Sequence, residues 1–448
     1  MDKQLPHFTD SQRYTAMTVF PLLLSSLGLF SFKIQDNQIN FDLPFLKIIF
    51  IFLFLGYVAF SSFTSSLINL FCTVSGALGL LFIIDLSGIS FSGANCIAIL
   101  IVLSMLLFQN SIFINAVHRN KSSKHVDAFK ATRCTIKQTG IAIILSNSIT
   151  SVILASAFFF NIISQEDEFL LVLWAGLTIA PVYTVLLLPP ACAWFLGHIN
   201  EERLADDTGP SFTEKMTLII KSRFDSFTYC WFRVMSRMLF SRTAGWVTLF
   251  LSVITTLALF ISGTWDSSPL GLSSNSPEIA MLSLGVLCLF FFSAARYLSY
   301  TLALVPVLTV LPVTMVILAY MSITPPQILS LAVPILSFTV PLYLLVSFTI
   351  IDYSLQLMPQ FDSESDVVRY CLEQRVRPIF SSILIATVPI ILVKFNESFY
   401  SYYIVPALVI CAGLLLTIIV LCMVLVPLLK IHNFINSPKV KPIKSVYL

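Results

Sequence analysis

The chain consists largely of long blocks of apolar residues separated by short polar segments. Within these blocks, as in Leu43 to Phe63, apolar and polar positions do not alternate with the period of two that a membrane β-strand needs. A block of about 20 apolar residues crosses a bilayer as a helix. The pattern therefore predicts an all-α integral membrane protein. The predicted spans are residues 14–32, 45–63, 66–86, 95–117, 139–161, 169–196, 243–263, 278–295, 300–320, 327–351, 378–395 and 400–429.

The composition agrees with a membrane protein. Of the 448 residues, 57% are hydrophobic and 11% are charged, and the mean hydropathy is +0.90. A soluble domain carries about 25% charged residues, and a disordered chain is still more polar, so both classes are excluded. The net charge of +3 is too small to indicate binding to nucleic acid. The lipid bilayer is the first expected partner.

The distribution of Lys and Arg predicts how the chain is oriented, because these residues favour the cytoplasmic side. With the N-terminus inside, 23 of the 26 Lys and Arg fall in inside segments. Only Lys33, Lys47 and Lys394 fall outside. The distribution predicts an even number of spans with both termini in the cytoplasm.

The sequence contains none of the short motifs that mark common enzymes. HExxH, GxSxG, GxxxxGK-S/T and GxGxxG are all missing. The nine cysteines form no CxxC pair, and the five histidines all map to inside segments. We therefore expect no enzymatic activity, no catalytic residues, no metal site and no cofactor.

Two halves of the chain follow the same plan. In each half the fourth span ends in a charged segment, after Arg119 and after Tyr353, and a fifth span with Ser and Thr follows. Both joining segments lie inside, so the halves have the same orientation, as in parallel-repeat transporters. The predicted organisation is a first six-helix repeat (1–198), a cytoplasmic linker with an amphipathic helix (199–242), a second six-helix repeat (243–431) and a cytoplasmic tail (432–448).

Short motifs stand at corresponding places in the two halves. Arg375-x-Arg377-Pro378 opens span eleven, and a segment beginning at Thr139-Gly140 opens span five. In order and spacing these segments resemble the inner-membrane pump of resistance–nodulation–division (RND) efflux systems, of the multidrug and heavy-metal type. The resemblance implies an RND-like transmembrane domain in the bacterial inner membrane. It also implies a structural role for Gly140, Arg375, Arg377 and Pro378.

The sequence departs from this family at two places. RND pumps carry large periplasmic domains after spans one and seven, where this chain has only short loops. They also carry Asp in span four and Lys in span ten as a proton relay. The positions equivalent to the relay Asp fall on Phe108 and Gln109, beside Asn110, and the Lys position falls near Leu344 or Leu345. Because a proton relay in a membrane needs ionisable groups, we expect none within this chain.

Neutral polar side chains remain within the spans. Residues such as Ser146 and Thr150, spaced i and i+4, share one helix face. Such groups are typical of hydrogen bonds between membrane helices, and a polar path for a substrate is the alternative. The candidate path residues are Asn115, Ser146, Asn147, Thr150, Ser347, Thr349 and Ser382.

The resemblance and the missing relay together predict a membrane transport protein of RND-efflux type, without its own proton relay, for an apolar or amphipathic small molecule or a lipid. Two alternatives stay open. One is a transport-inactive relative that acts as an accessory or scaffold subunit of an envelope complex, and the other is a lipid or sterol sensor. Further copies of the chain, other RND subunits or envelope subunits are the expected protein partners.

Overall fold

Every long apolar block that the structure describes forms a helix, because a helix satisfies its backbone hydrogen bonds within one segment. The computed structural model describes residues 17–27, 53–57, 60, 62–89, 93–124, 127–159, 168–202, 222, 226, 246–254, 277–323, 332–392 and 400–436. These residues contain no strand. The all-helical class predicted from the sequence is therefore confirmed over the described part of the chain.

Helical residues occur in each predicted span. The helices are α1 (Met17–Leu27), α2 (53–57), α3 (Phe63–Leu86), α4 (Gly93–Lys124), α5 (128–159), α6 (168–202), α7 (246–254), α8 (Pro277–Tyr297), α9 (Tyr300–Ile323), α10 (Ala332–Leu357), α11 (Glu364–Leu392) and α12 (Tyr400–Asn436). Two helices each contain one π-helical turn, Ile136–Gly140 in α5 and Tyr183–Leu187 in α6.

Seven helices of the described chain are long and apolar enough to cross a membrane: α3, α4, α5, α6, α9, α10 and α12. Large apolar side chains point away from the protein, such as Phe195, Phe250 and Phe291, which are 57%, 65% and 64% exposed. Water disfavours so many exposed apolar groups, whereas lipid accommodates them. The chain is thus an integral membrane protein. The count of twelve spans and the orientation of the termini stay predictions.

Two helices begin well before the apolar block that predicted them. Helix α5 starts at Ala128, where the side chain of Asp127 accepts a hydrogen bond from the Ala128 amide at 2.7 Å. Its first turns bury Ala131 and expose Lys130. Helix α11 starts at Glu364, before the predicted start of its span at residue 378. Hydropathy marks the apolar block and not the helix, so the charged segments predicted between spans are in part amphipathic helix.

Helices α4 and α10 occupy the centre of the bundle. Helix α4 packs against α3, α5, α6, α10 and α11, and α10 packs against α4, α5, α9, α11 and α12. Helix contacts recur in the second half of the chain when each helix is replaced by the one six places away. Contact α3–α4 corresponds to α9–α10, α3–α6 to α9–α12, α4–α6 to α10–α12, α5–α6 to α11–α12, and α4–α11 to α5–α10. The two central helices therefore have matching surroundings.

Most of the predicted linker 199–242 lies outside the described residues, which include only 199–202, 222 and 226 of it. The loops after α1 and α7 and the tail beyond Asn436 also lie outside them. The division of the chain at 198, 242 and 431 therefore stays a prediction.

Candidate functional site

A layer of neutral polar side chains lies along the middle of α4. Phe108, Gln109 and Asn110 are all fully buried. The Gln109 Nε2 donates to Oδ1 of Asn147 on α5 at 3.1 Å. The Asn147 Nδ2 in turn donates to the Ile143 carbonyl at 2.7 Å, which fixes the orientation of the Asn147 amide. An amide pair thus joins α4 to α5 at the place where the RND resemblance expects a carboxylate.

The neighbouring side chain, Asn110, joins α4 to two further helices. Its Nδ2 donates to Thr73 Oγ1 of α3 at 3.1 Å, and its Oδ1 accepts from Thr184 Oγ1 of α6 at 2.9 Å. One turn along α3, Asn69 Nδ2 donates to Ser111 Oγ at 3.1 Å. The contacts that hold α4 against α3, α5 and α6 here are therefore hydrogen bonds between uncharged groups.

Three buried polar atoms of this region make no hydrogen bond within the described residues: Gln109 Oε1, Asn69 Oδ1 and Asn115 Nδ2. Buried polar groups in proteins are nearly always hydrogen-bonded, to protein or to water. Each of the three atoms is thus able to form one further hydrogen bond. Two of them are acceptors and one is a donor.

The remaining path candidates are hydroxyl groups that bond to the preceding turn of their own helix. A hydroxyl bonded in this way is satisfied without a ligand. The bonds are Ser146 to Ile143 O at 3.0 Å, Thr150 to Ser146 O at 3.0 Å, Ser347 to Tyr343 O at 2.9 Å, Thr349 to Val346 O at 2.9 Å and Ser382 to Pro378 O at 2.8 Å. The structure joins Gln109 to Asn147 directly, whereas these five hydroxyls bond only to backbone carbonyls among the residues that the structure describes.

The C-terminal end of α10 carries a charged cluster. Asp352 of α10 pairs with Arg296 of α8 through Nε and Oδ1 at 3.3 Å and through a second, shorter contact to Oδ2. Arg296 also donates to the carbonyl of Gln138 at 3.4 Å. Gln138 lies in the π-helical turn of α5, a local irregularity that is frequent at functional sites. One guanidinium therefore links α5, α8 and α10.

The next residue of α10, Tyr353, contacts two arginines. The Cζ atoms of Arg119 on α4 and Arg375 on α11 lie 4.5 and 4.6 Å from the centroid of its ring, within cation–π range. Arg375 is only 6% exposed, and its Nε makes no hydrogen bond within the described residues. Burial, followed by the charge of Arg119, lowers the pKa of Arg375 to about 9, so the side chain is still charged near pH 7.

Three of the four family-motif residues can be placed. Gly140 ends the π-helical turn of α5, and Arg375 belongs to the cluster around Tyr353. The carbonyl of Pro378 accepts hydrogen bonds from Ser381 and Ser382. The side chain of Arg377 lies outside the described residues.

A cavity of about 670 Å³ opens beside the ion pair, between α5, α8 and α10. We name it the α5–α8 groove. Its polar wall includes Lys137, Gln138, Arg296, Asp352 and Gln356, and Gln138 donates to Gln356 across it at 3.1 Å.

Sequence reasoning missed both the groove and the cluster around Tyr353. The one available signal was that Arg296 and Asp352 stand at the inner ends of two spans. The contacts join helices that are distant in the chain, and no local sequence motif indicates that such helices lie side by side.

Comparisons with known proteins identify the fold. No protein-family model and no curated protein matches the chain. Among solved structures it is similar to SecDF, a translocon-associated membrane protein from Thermus thermophilus, with a TM-score of 0.58 and 11% identity over 91% of this chain and 62% of that chain. SecDF is a member of the RND superfamily. The chain has an RND-like fold.

A second SecDF structure, in a super-membrane-facing form, gives a TM-score of 0.57 and 10% identity over 94% of this chain and 64% of that chain. The chain thus spans a little under two thirds of the length of these SecDF chains. The similarity supports the RND-like fold and leaves the efflux subtype a prediction.

Proposed function

We propose that this RND-like protein moves an apolar or amphipathic small molecule, or a lipid, through the membrane without a proton relay of its own. The observation that carries the proposal is the buried amide pair of Gln109 and Asn147 in the middle of α4 and α5. Proton relays in membranes use Asp, Glu or His, whereas an amide does not exchange a proton between two states of charge. The positions of the relay lysine, Leu344 and Leu345, are buried and apolar.

A neutral amide has the hydrogen-bonding capacity of a protonated carboxyl group, since it both donates and accepts without carrying a charge. The bond between Gln109 and Asn147 therefore keeps α4 and α5 in the contact that a protonated carboxyl would make. We propose on this ground that the gradient of the transported molecule drives its movement. The absence of a nucleotide-binding motif from the sequence supports the same view.

We further propose that the fold consists of twelve spans in two six-helix parallel repeats. The matching surroundings of α4 and α10 support this, because a two-fold axis along the membrane normal would relate each helix to the one six places later. The distribution of Lys and Arg supports cytoplasmic termini, and the RND resemblance supports the bacterial inner membrane.

The proposal involves no enzymatic chemistry and no cofactor. A homo-oligomer, or an assembly with other RND or envelope subunits, stays part of the proposal. The alternatives of an accessory or scaffold subunit and of a lipid or sterol sensor are not favoured by the comparisons.

The experiment that tests the proposal is a translocation assay in proteoliposomes. A phospholipid with a fluorescent headgroup is placed in both leaflets, and a membrane-impermeant quencher reports movement between them. We expect faster loss of the protected fluorescence than in protein-free vesicles, at a rate that an uncoupler leaves unchanged. A rate equal to that of protein-free vesicles would overturn the proposed transport of lipid. A rate abolished by the uncoupler would overturn the proposal that transport needs no proton relay.

A further inference from the structure

The start of α5 carries a stripe of positive charge that leads to the α5–α8 groove. Lys130, Arg133 and Lys137 are exposed, while Ala131 between them and Ala128 before them are buried. Spacings of three and four residues place side chains on neighbouring positions of one helix face. Lys130 and Lys137 make no ion pair within the described residues. The stripe ends at Lys137, which lines the groove.

The charges that line the groove do not cancel. Arg296 and Asp352 neutralise each other as an ion pair, and Lys137 adds a positive charge that no lining carboxylate balances. Gln356 lines the same wall and offers amide hydrogens. An ammonium and an amide are donors that suit the oxygens of a phosphate group, and a charge-assisted hydrogen bond is stronger than a neutral one.

The other wall of the groove is apolar. Ile141 and Leu145 follow Lys137 on α5, and Phe292 precedes Arg296 on α8. Near the end of α8, Arg296 meets α5 at the carbonyl of Gln138, so the apolar wall on both helices extends from this charged end of the groove. Ile141 and Phe292 are 49% and 39% exposed, so they are in reach of an acyl chain. The groove therefore has a charged end and an apolar wall, as a phospholipid has a charged headgroup and apolar acyl chains.

We propose that the α5–α8 groove binds the phosphate headgroup of an anionic phospholipid, with an acyl chain along Ile141 and Phe292. Basic pockets between membrane helices on the cytoplasmic side recognise anionic lipid headgroups. A volume of about 670 Å³ is in the range of pockets that hold small molecules. A free phosphate ion shares the headgroup chemistry, but it would leave the apolar wall without a role. The inference rests on the proposed function only in naming a lipid, since binding is measurable without transport.

The test measures lipid retention by native mass spectrometry of the purified full chain. The probes are palmitoyl-oleoyl phosphatidylglycerol, phosphatidylcholine with the same chains, and inorganic phosphate. We expect phosphatidylglycerol to be retained in preference to phosphatidylcholine, and millimolar inorganic phosphate to leave it bound. Lys137→Gln is expected to weaken the retention of phosphatidylglycerol about fivefold, whereas Lys137→Arg preserves it.

The matched control is Lys430→Gln, which removes the same charge at the inner end of α12, away from the groove lining. It is expected to retain phosphatidylglycerol as the unaltered chain does. Equal retention of the two lipids, an unchanged Lys137→Gln variant, or an equal loss in Lys430→Gln would overturn the proposal. Displacement of phosphatidylglycerol by inorganic phosphate would show a simple anion site and would also overturn it.

Failure of this inference is distinguishable from failure of the proposed function. If phosphatidylglycerol is retained as expected but the proteoliposomes show no movement of fluorescent lipid, lipid binding in the groove is supported and the proposed transport is wrong. If lipid moves while Lys137→Gln retains phosphatidylglycerol unchanged, transport stands and the groove assignment is wrong.

Discussion

The guanidinium of Arg119 lies over the ring of Tyr353, with its Cζ 4.5 Å from the ring centroid. Arg375 contacts the same ring at 4.6 Å, so one aromatic side chain of α10 contacts cations from α4 and α11. Two like charges this close repel each other, and the electron-rich faces of the ring offset part of that repulsion. Tyr353 is therefore expected to hold α4, α10 and α11 together at this end of the bundle.

Replacing Tyr353 is expected to destabilise the protein only when the replacement removes the aromatic ring. Tyr353→Leu removes both cation–π contacts and should lower the free energy of unfolding by about 1–3 kcal/mol, whereas Tyr353→Phe keeps the ring and most of the stability. The measurement is unfolding by denaturant in detergent micelles. The control is Tyr370→Leu, which also removes a tyrosine ring. That ring packs against Phe361, with ring centroids 5.3 Å apart. Equal stability of the Leu and Phe variants at position 353 would refute the role of the ring.

The pair of Arg296 and Asp352 leads to a prediction about charge balance. Both side chains are mostly buried, at 13% and 15% exposure, so a cation left alone there is costly. Asp352→Asn is expected to lower the free energy of unfolding by about 3 kcal/mol. The double variant Arg296→Met with Asp352→Leu removes both charges and should recover a large part of that loss. The free energy of unfolding of each variant is measured with denaturant. A double variant no more stable than Asp352→Asn would contradict the expected cost of the unpaired cation.

The helices were largely predictable from the sequence, but the neighbours of each side chain were not. Apolar blocks predict that Gln109 lies in the middle of a span, and the Lys and Arg bias predicts that Asp352 lies at an inner end. Helices such as α4 and α9 have no distinct amphipathic face, so the sequence does not show which side meets which neighbour. The partners Asn147 and Arg296 therefore came only from the structure.

The amide pair of Gln109 and Asn147 predicts non-additive substitution effects. Asn147→Leu leaves the buried Gln109 amide with no hydrogen-bond partner among the described residues, which costs the desolvation of its polar groups. Adding Gln109→Leu removes those groups as well. The double variant is therefore expected to be more stable than Asn147→Leu alone by about 1–3 kcal/mol. A double-variant cycle measured by unfolding tests this, and strictly additive losses would show that the two amides do not interact.

Two glycines predict opposite responses to alanine. A Cβ at Gly413 of α12 would lie 2.9 Å from Ile317 Cδ1 and would also collide with the ring of Tyr343. A Cβ at Gly140 would meet its nearest atom, Ile136 Cγ2, at an ordinary 3.5 Å. Gly413→Ala is therefore expected to cost about 1–3 kcal/mol of unfolding free energy, while Gly140→Ala is tolerated. A larger loss for Gly140→Ala would instead indicate that the RND-like motif residue has a structural role beyond packing.

The central claim is that transport proceeds without a proton relay, because the polar centre of α4 carries Gln109 and Asn110 and no ionisable group. The most direct measurement records lumenal pH and the movement of fluorescent phospholipid together, in the same proteoliposomes, with a trapped pH dye. The account predicts lipid movement at an unchanged lumenal pH, with no acceleration by an imposed proton gradient. A proton flux that starts and stops with the movement of the lipid would contradict it.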